Sequence, residues 1–137
     1  MAYWILKTEP SEFSFADLRR EKRARWDGVR NHQAAANLKA MKKGDQVFFY
    51  HSNEGLAIVG IAEVAKPAYP DPSDKTGKFV MIDLVPVKPF KTPVTLAQIK
   101  DDETLNHIAL VKNSRLSVQP VDAAAFTLIC KLGGVAA

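Results

Sequence analysis

Few side chains in this sequence can do covalent or metal chemistry: His32, His51, His107 and the lone Cys130. A metal site needs three or four converging ligands. Three scattered histidines and a single cysteine do not supply that spacing, so no structural or catalytic metal is expected. His51-Ser52 reads as a dyad on paper, yet neighbours on a strand point to opposite faces and cannot bond there. Cys130 falls on an apolar stripe, where a thiol behaves as a small buried hydrophobe. No nucleophile elbow, phosphate loop or dinucleotide fingerprint is present. The expectation is therefore no catalytic residue and no cofactor. The alternative is a hydrolase or nucleotide-processing enzyme using His51 or Cys130.

The segment Arg25-Trp26-Asp27-Gly28-Val29-Arg30-Asn31 carries more information. Two readings of it stand. In one, Trp26 covers the end of a barrel, Asp27-Gly28 makes a turn and Asn31 caps a helix. In the other, Trp26 is a stacking plate for a flat ligand, with Arg25 and Arg30 placed where a phosphate passes. An aromatic face plus edge hydrogen bonds is how a splayed-out nucleobase is held. Just upstream, Arg19, Arg20, Lys22, Arg23 and Arg25 stand against only Glu21. This run reads either as a solvated helix end and loop or as a phosphate-tracking patch. The chain as a whole carries 19 basic and 15 acidic residues, a balance that permits nucleic acid without demanding it.

The elements that position these residues follow from pattern. At 137 residues with 47% hydrophobic and 25% charged side chains, the chain reads as one globular domain, 1–137. Its longest apolar run, Leu56 to Ala62, is far shorter than a membrane span. No signal-type segment opens the chain, so a soluble, cytoplasmic monomer is expected. Tyr3 to Lys7 predicts a strand ended by Pro10. Ser14 with Asp17 predicts a capped helix stapled by Phe13 and Leu18. Asn31 predicts a second helix with Ala34, Leu38 and Met41 on one face, stopped at Gly44. Gln46 to Ser52 and Leu56 to Lys66 predict a hairpin across Asn53-Glu54-Gly55, with Val47 and Phe49 on one face and Phe48 and Tyr50 on the other. Residues 66–78 hold three prolines and predict a long loop, of the kind used as a binding loop or lid. Phe79 to Val87 predicts a strand, Thr95 with Gln98 a short helix, and Arg115 to Gln119 a last strand before Pro120. Asp122 predicts the cap of a terminal helix with Ala123, Phe126, Ile129 and Cys130 on one stripe. The order β-α-α-β-β-β-α-β-α implies an α+β fold around a small, partly closed barrel.

Three blocks strongly resemble the signature of the EVE domain: Trp4-Ile5-Leu6-Lys7-Thr8-Glu9-Pro10, Trp26-Asp27-Gly28-Val29-Arg30-Asn31 and Phe48-Phe49-Tyr50-His51-Ser52. Gly60-Ile61-Ala62-Glu63-Val64 and Leu116-Ser117-Val118-Gln119-Pro120 match further blocks in order. The resemblance spans essentially the whole chain and takes in the thymocyte nuclear protein family. It implies a PUA-like mixed β-barrel flanked by helices, distantly similar to the YTH domain. It also implies a non-catalytic reader of a modified base, cytosine or adenine, in DNA or RNA. Carried over by position, the pocket would be lined by Lys7, Thr8, Trp26, Val29, Asn31, Tyr50, His51 and Ser52. The basic residues Arg19, Arg20, Lys22, Arg23, Arg25 and Arg30 would hold the backbone. Each has a plainer alternative: Lys7 as a solvated strand end, Tyr50 as core, His51 and Ser52 divided between faces. The chain departs from the family at His32, where Tyr is common, at Ala35-Ala36, where Arg-Asn is common in the nuclear members, and at Phe79, where Trp is common.

Overall fold

The computed structural model describes residues 1–136. Its elements in chain order are β1 (Tyr3–Thr8), α1 (Phe15–Glu21), β2 (Ala24–Trp26), α2 (His32–Ala40), β3 (Gln46–His51), β4 (Ala57–Pro70), β5 (Val80–Thr95), α3 (Leu96–Asp101), α4 (Ala109–Lys112), β6 (Val118–Val121) and α5 (Ala123–Leu132). Six strands form one mixed sheet in the order β2-β5-β4-β3-β1-β6. Only β1 and β3 run parallel; the other pairs are antiparallel. The end strands β2 and β6 do not pair with each other among the described residues, so the barrel stays open.

The helix starts follow local chemistry. Ser14 and Asp17 form a reciprocal capping box, as do Thr95 and Gln98. Asn31 and Asp122 cap α2 and α5 by accepting from Ala34 N–H and Ala125 N–H. Strand alternation then divides the core in two. Trp4, Leu6, Val47 and Phe49 pack with Phe15, Leu18 and Leu38 of α1 and α2 on one face. Ile5, Phe48 and Tyr50 pack with Ile99, Leu110, Phe126 and Cys130 on the other. Both central strands are thus buried on both sides, as continuous apolar strands require.

Several expectations need correction. β4 runs to Pro70 instead of ending at Lys66, and β5 runs to Thr95 instead of Val87. Their prolines are tolerated because the β4–β5 register shifts repeatedly, with Pro86 opposite Ala62 and Pro89 opposite Gly60 beside such shifts. The last strand is Val118–Val121 and includes Pro120, which sits on the outermost strand. β2 and α4 are additional elements. Ala123 is exposed; the buried stripe of α5 is Ala125, Phe126, Ile129 and Cys130.

Gly60 has a specific steric role. A Cβ there would lie 2.5–2.9 Å from three ring atoms of Phe15, so α1 sits on β4 only because position 60 has no side chain. Gly60→Ala should destabilise the protein by about 1–3 kcal/mol, and by less in a Phe15→Leu background. Denaturant unfolding of the four proteins of that cycle checks this. Equal costs in both backgrounds would contradict it.

Candidate base-binding groove at the edge of the sheet

β2 is only three residues long, and pairing with β5 fixes its place: Ala24 opposite Leu84, Arg25 opposite Asp83, Trp26 opposite Ile82. As the end strand it leaves its other edge open. An open groove of about 500 Å³ lies there. Thr8, Glu12 and Phe13 line it from the β1–α1 side, Glu21 from the end of α1, and Arg23 to Asp27 from β2 and its flanks. The Trp26 indole is half-buried. The rings of Phe49 (centroids 5.7 Å, 83°) and Phe13 (6.2 Å, 74°) meet it edge to face. Such pairs hold a ring in one orientation. Trp26 therefore belongs to the apolar cluster under α1 and α2 as well as to the groove.

Two buried carboxylates clamp the chain on either side of β2. Asp71, at the end of β4, accepts from Gly28 N–H (2.8 Å), Arg30 Nη1 (3.1 Å), Ser73 N–H (2.8 Å) and Ser73 Oγ (2.6 Å). Burial alone would raise its pKa, but these donors outweigh burial and hold it well below the carboxylate range. Gly28 has φ +77°, a conformation that glycine takes without strain. On the strand side, Asp83 accepts from Arg23 Nε (3.0 Å) and Nη2 (2.8 Å) and from the Tyr69 hydroxyl. Burial, Asp83's hydrogen bond and its charge together push the Tyr69 phenol up to about 12. Asp74 pins the next turn through Thr76, Lys78 and Phe79. Residues 71–79 are thus tied to the groove's own segment by named bonds.

Of the expected pocket residues, only Thr8 and Trp26 line this groove. Thr8 and His51 are opposite one another in register, and the His51 ring meets Phe49 on the Trp26 side of the sheet (5.8 Å). His51 Nε2 accepts the Phe15 N–H at 3.1 Å, serving an otherwise orphaned donor in the first turn of α1. Val29 packs partly into the same core. Asn31 spends its Oδ1 on the α2 cap (2.9 Å). Ser52 donates its backbone N–H to Thr8 O (2.8 Å). Lys7 and Tyr50 are a correction: alternation puts both on the opposite face of the sheet. Tyr50 is buried in that second core, with the Lys7 ammonium 5.7 Å from its ring centre. They do not share a pocket with Trp26.

The basic set divides too. Arg20 pairs with Asp17 (2.8 Å), Arg23 with Asp83 and Arg30 with Asp71. Arg30 also lies over Phe79 (5.3 Å), whose ring meets His32 (5.4 Å), so two of the three departures from the family pattern meet each other. Arg19, Lys22 and Arg25 have no ion pair among the described residues. Pattern reading missed Glu12, Phe13, Glu21 and Asp27 as groove walls and Asp71 and Asp83 as clamps. Their partners are distant in sequence, and no local motif marks them.

Of the two residues in the enzyme alternative, Cys130 is poorly placed to act as a nucleophile. Burial pushes the Cys130 thiol up to about 11, and it lies in the core opposite the Trp26 face. No group of three or more metal-ligating side chains occurs among the described residues. No helix among them is long and apolar enough to cross a membrane.

This is a PUA-like α+β domain with an aromatic groove at an open sheet edge. The family model of the EVE domain matches residues 2–132, and the chain belongs to that family. Thymocyte nuclear protein 1 of Mus musculus is 35% identical over 164 aligned residues, covering 95% of this chain and 73% of its own. The solved structure of Rpa0253 from Rhodopseudomonas palustris is 52% identical with a TM-score of 0.94, covering 98% of this chain and 94% of that one. Human THYN1, solved in complex with 5-methylcytosine containing DNA, is 32% identical with a TM-score of 0.90, covering 97% of this chain and 98% of that one. A YTH domain from Zygosaccharomyces rouxii, solved with N6-methyladenosine RNA, is similar in fold alone, at 18% identity and a TM-score of 0.59.

The His51 bond has a pH signature. Burial lowers the imidazole pKa, and Nε2 can accept the Phe15 N–H only while that nitrogen carries no proton. A depressed folded pKa means the contribution is full above the unfolded value of about 6.5 and is lost as pH falls through the folded one. From about pH 7.5 to about pH 5.5, the unfolding midpoint should therefore drop more for the parent protein than for His51→Gln. Parallel pH profiles would contradict the assignment.

Proposed function

We propose that this protein is a non-catalytic reader of a modified base in DNA or RNA, with the base stacked on Trp26 in the β2 groove. The observation that carries the reading is the Trp26 indole, held edge-on by Phe13 and Phe49 at an open groove. The human relative solved with 5-methylcytosine containing DNA makes modified cytosine the first ligand to test, before modified adenine. Glu12, Glu21 and Asp27 line the groove, and Asp83 already holds Arg23. These carboxylates suit a neutral base whose amino group donates to one of them, with Arg25 the lining cation that has no ion pair among the described residues. Thr8 and the open backbone edge of β2 can serve the remaining base edge. Arg19, Lys22 and Arg25 are the members of the basic run left to hold the strand's phosphates.

Base–aromatic stacking is worth about 1–3 kcal/mol per base, or roughly 5- to 150-fold in affinity. Trp26→Ala should lose that much for an oligonucleotide carrying 5-methylcytosine, and Trp26→Phe should lose less. Because the ring also packs on Phe13 and Phe49, each variant's unfolding free energy is measured beside its affinity. A folded Trp26→Ala protein that binds modified and unmodified oligonucleotides as before would sink the reading.

A further inference from the structure

We propose that the turn 112–115, tied to the end of β1 by Lys7, is a second phosphate-contact site for the bound strand, across the sheet rim from the base groove. This rests on the base-reader reading above. Lys7 stands one residue before Thr8, so the two side chains leave β1 on opposite faces. Thr8 enters the groove. Lys7 instead sends its Nζ to the Ser114 carbonyl at 2.7 Å, and its backbone N–H bonds Ser117 O at 3.0 Å. The turn is also held from beneath. Buried Gln119 donates through Nε2 to Asn113 O (2.9 Å) and Leu116 O (2.8 Å), and Asn113 N–H bonds Ala109 O (2.7 Å).

On this fixed backbone Lys112 and Arg115 are exposed, with the polar side chains of Asn113 and Ser114 between them. Among the described residues no carboxylate forms an ion pair with Lys7, Lys112 or Arg115. The basic run of α1 and β2 differs, since Asp17 and Asp83 occupy two of its arginines. Lys112 and Arg115 flank the carbonyl that holds the Lys7 ammonium, and three cations without a carboxylate partner favour an anion; lysine and arginine both suit phosphate oxygens. Inside the groove three carboxylates stand against Arg25, the one lining cation without a carboxylate partner among the described residues. A strand that places a base there must carry its backbone over the rim. Burial already lowers the Lys7 pKa, and a nearby phosphate would offset that cost.

The test is the salt dependence of binding for a single-stranded oligonucleotide carrying one 5-methylcytosine, compared between the parent protein and K112A/R115A. Two lost contacts should make the slope of log K against log salt less negative by about 1.4. Binding of free 5-methylcytidine should stay unchanged. An unchanged oligonucleotide slope would overturn the proposal. So would equal flattening in the charge-keeping K112R/R115K variant, because shape and not charge would then matter. A parent protein that binds the oligonucleotide but does not prefer the modified base would defeat the reader reading alone. The slope comparison would still decide the turn. A parent protein that binds no oligonucleotide at low salt would overturn both.

Discussion

Trp26 sits at the groove because three residues of β2 pair with β5, and a strand that short does not hold its place unaided. Asp83 grips Arg23 just before the strand, and Asp71 grips Gly28 and Arg30 just after it. Each carboxylate is buried, so each needs its donors; losing one side of such a bond costs more than an exposed pair is worth. The same two carboxylates that fix the aromatic plate also take up Arg23 and Arg30 in ion pairs. The arginines near Trp26 are thus split between those that build the groove's frame and those left without an ion pair among the described residues.

The sheet is a partition as well as a scaffold. β1 and β3 are buried on both faces, and alternation along them sends Thr8, Phe49 and His51 toward Trp26 while Lys7, Phe48 and Tyr50 go the other way. A motif written as consecutive residues therefore belongs to two surfaces. One takes part in the aromatic groove. The other joins the core beneath α5 and the cationic turn at residues 112–115.

Where information was local, it could be read from the chain. The caps at Ser14, Asn31, Thr95 and Asp122, and the division of Val47 and Phe49 from Phe48 and Tyr50, follow from residue type and period. β2 was not legible, because the three residues Ala24-Arg25-Trp26 are too few for their alternation to mark a strand, and they form one only through their partner. The lengths of β4 and β5 were hidden by prolines whose harmlessness depends on register shifts between two strands. Asp71 and Asp83 look like loop and surface acids in the sequence. Their partners stand 43 and 60 residues away, a pairing that no window on one chain segment can reveal.

The two tryptophans allow the central claim to be tested on the unaltered protein. Trp4 is buried and donates its indole N–H to Asp45 at 3.0 Å, away from the groove, whereas Trp26 faces it. Nitrogen–proton correlation spectra of the two indole groups, recorded while a 5-methylcytosine oligonucleotide and then its unmodified counterpart are titrated in, report on both at once. A large, saturating shift of the Trp26 indole with the modified strand, a smaller one with the unmodified strand and a stationary Trp4 is the predicted result. A Trp26 signal that stays still, or that moves identically with both strands, would contradict base recognition at this groove.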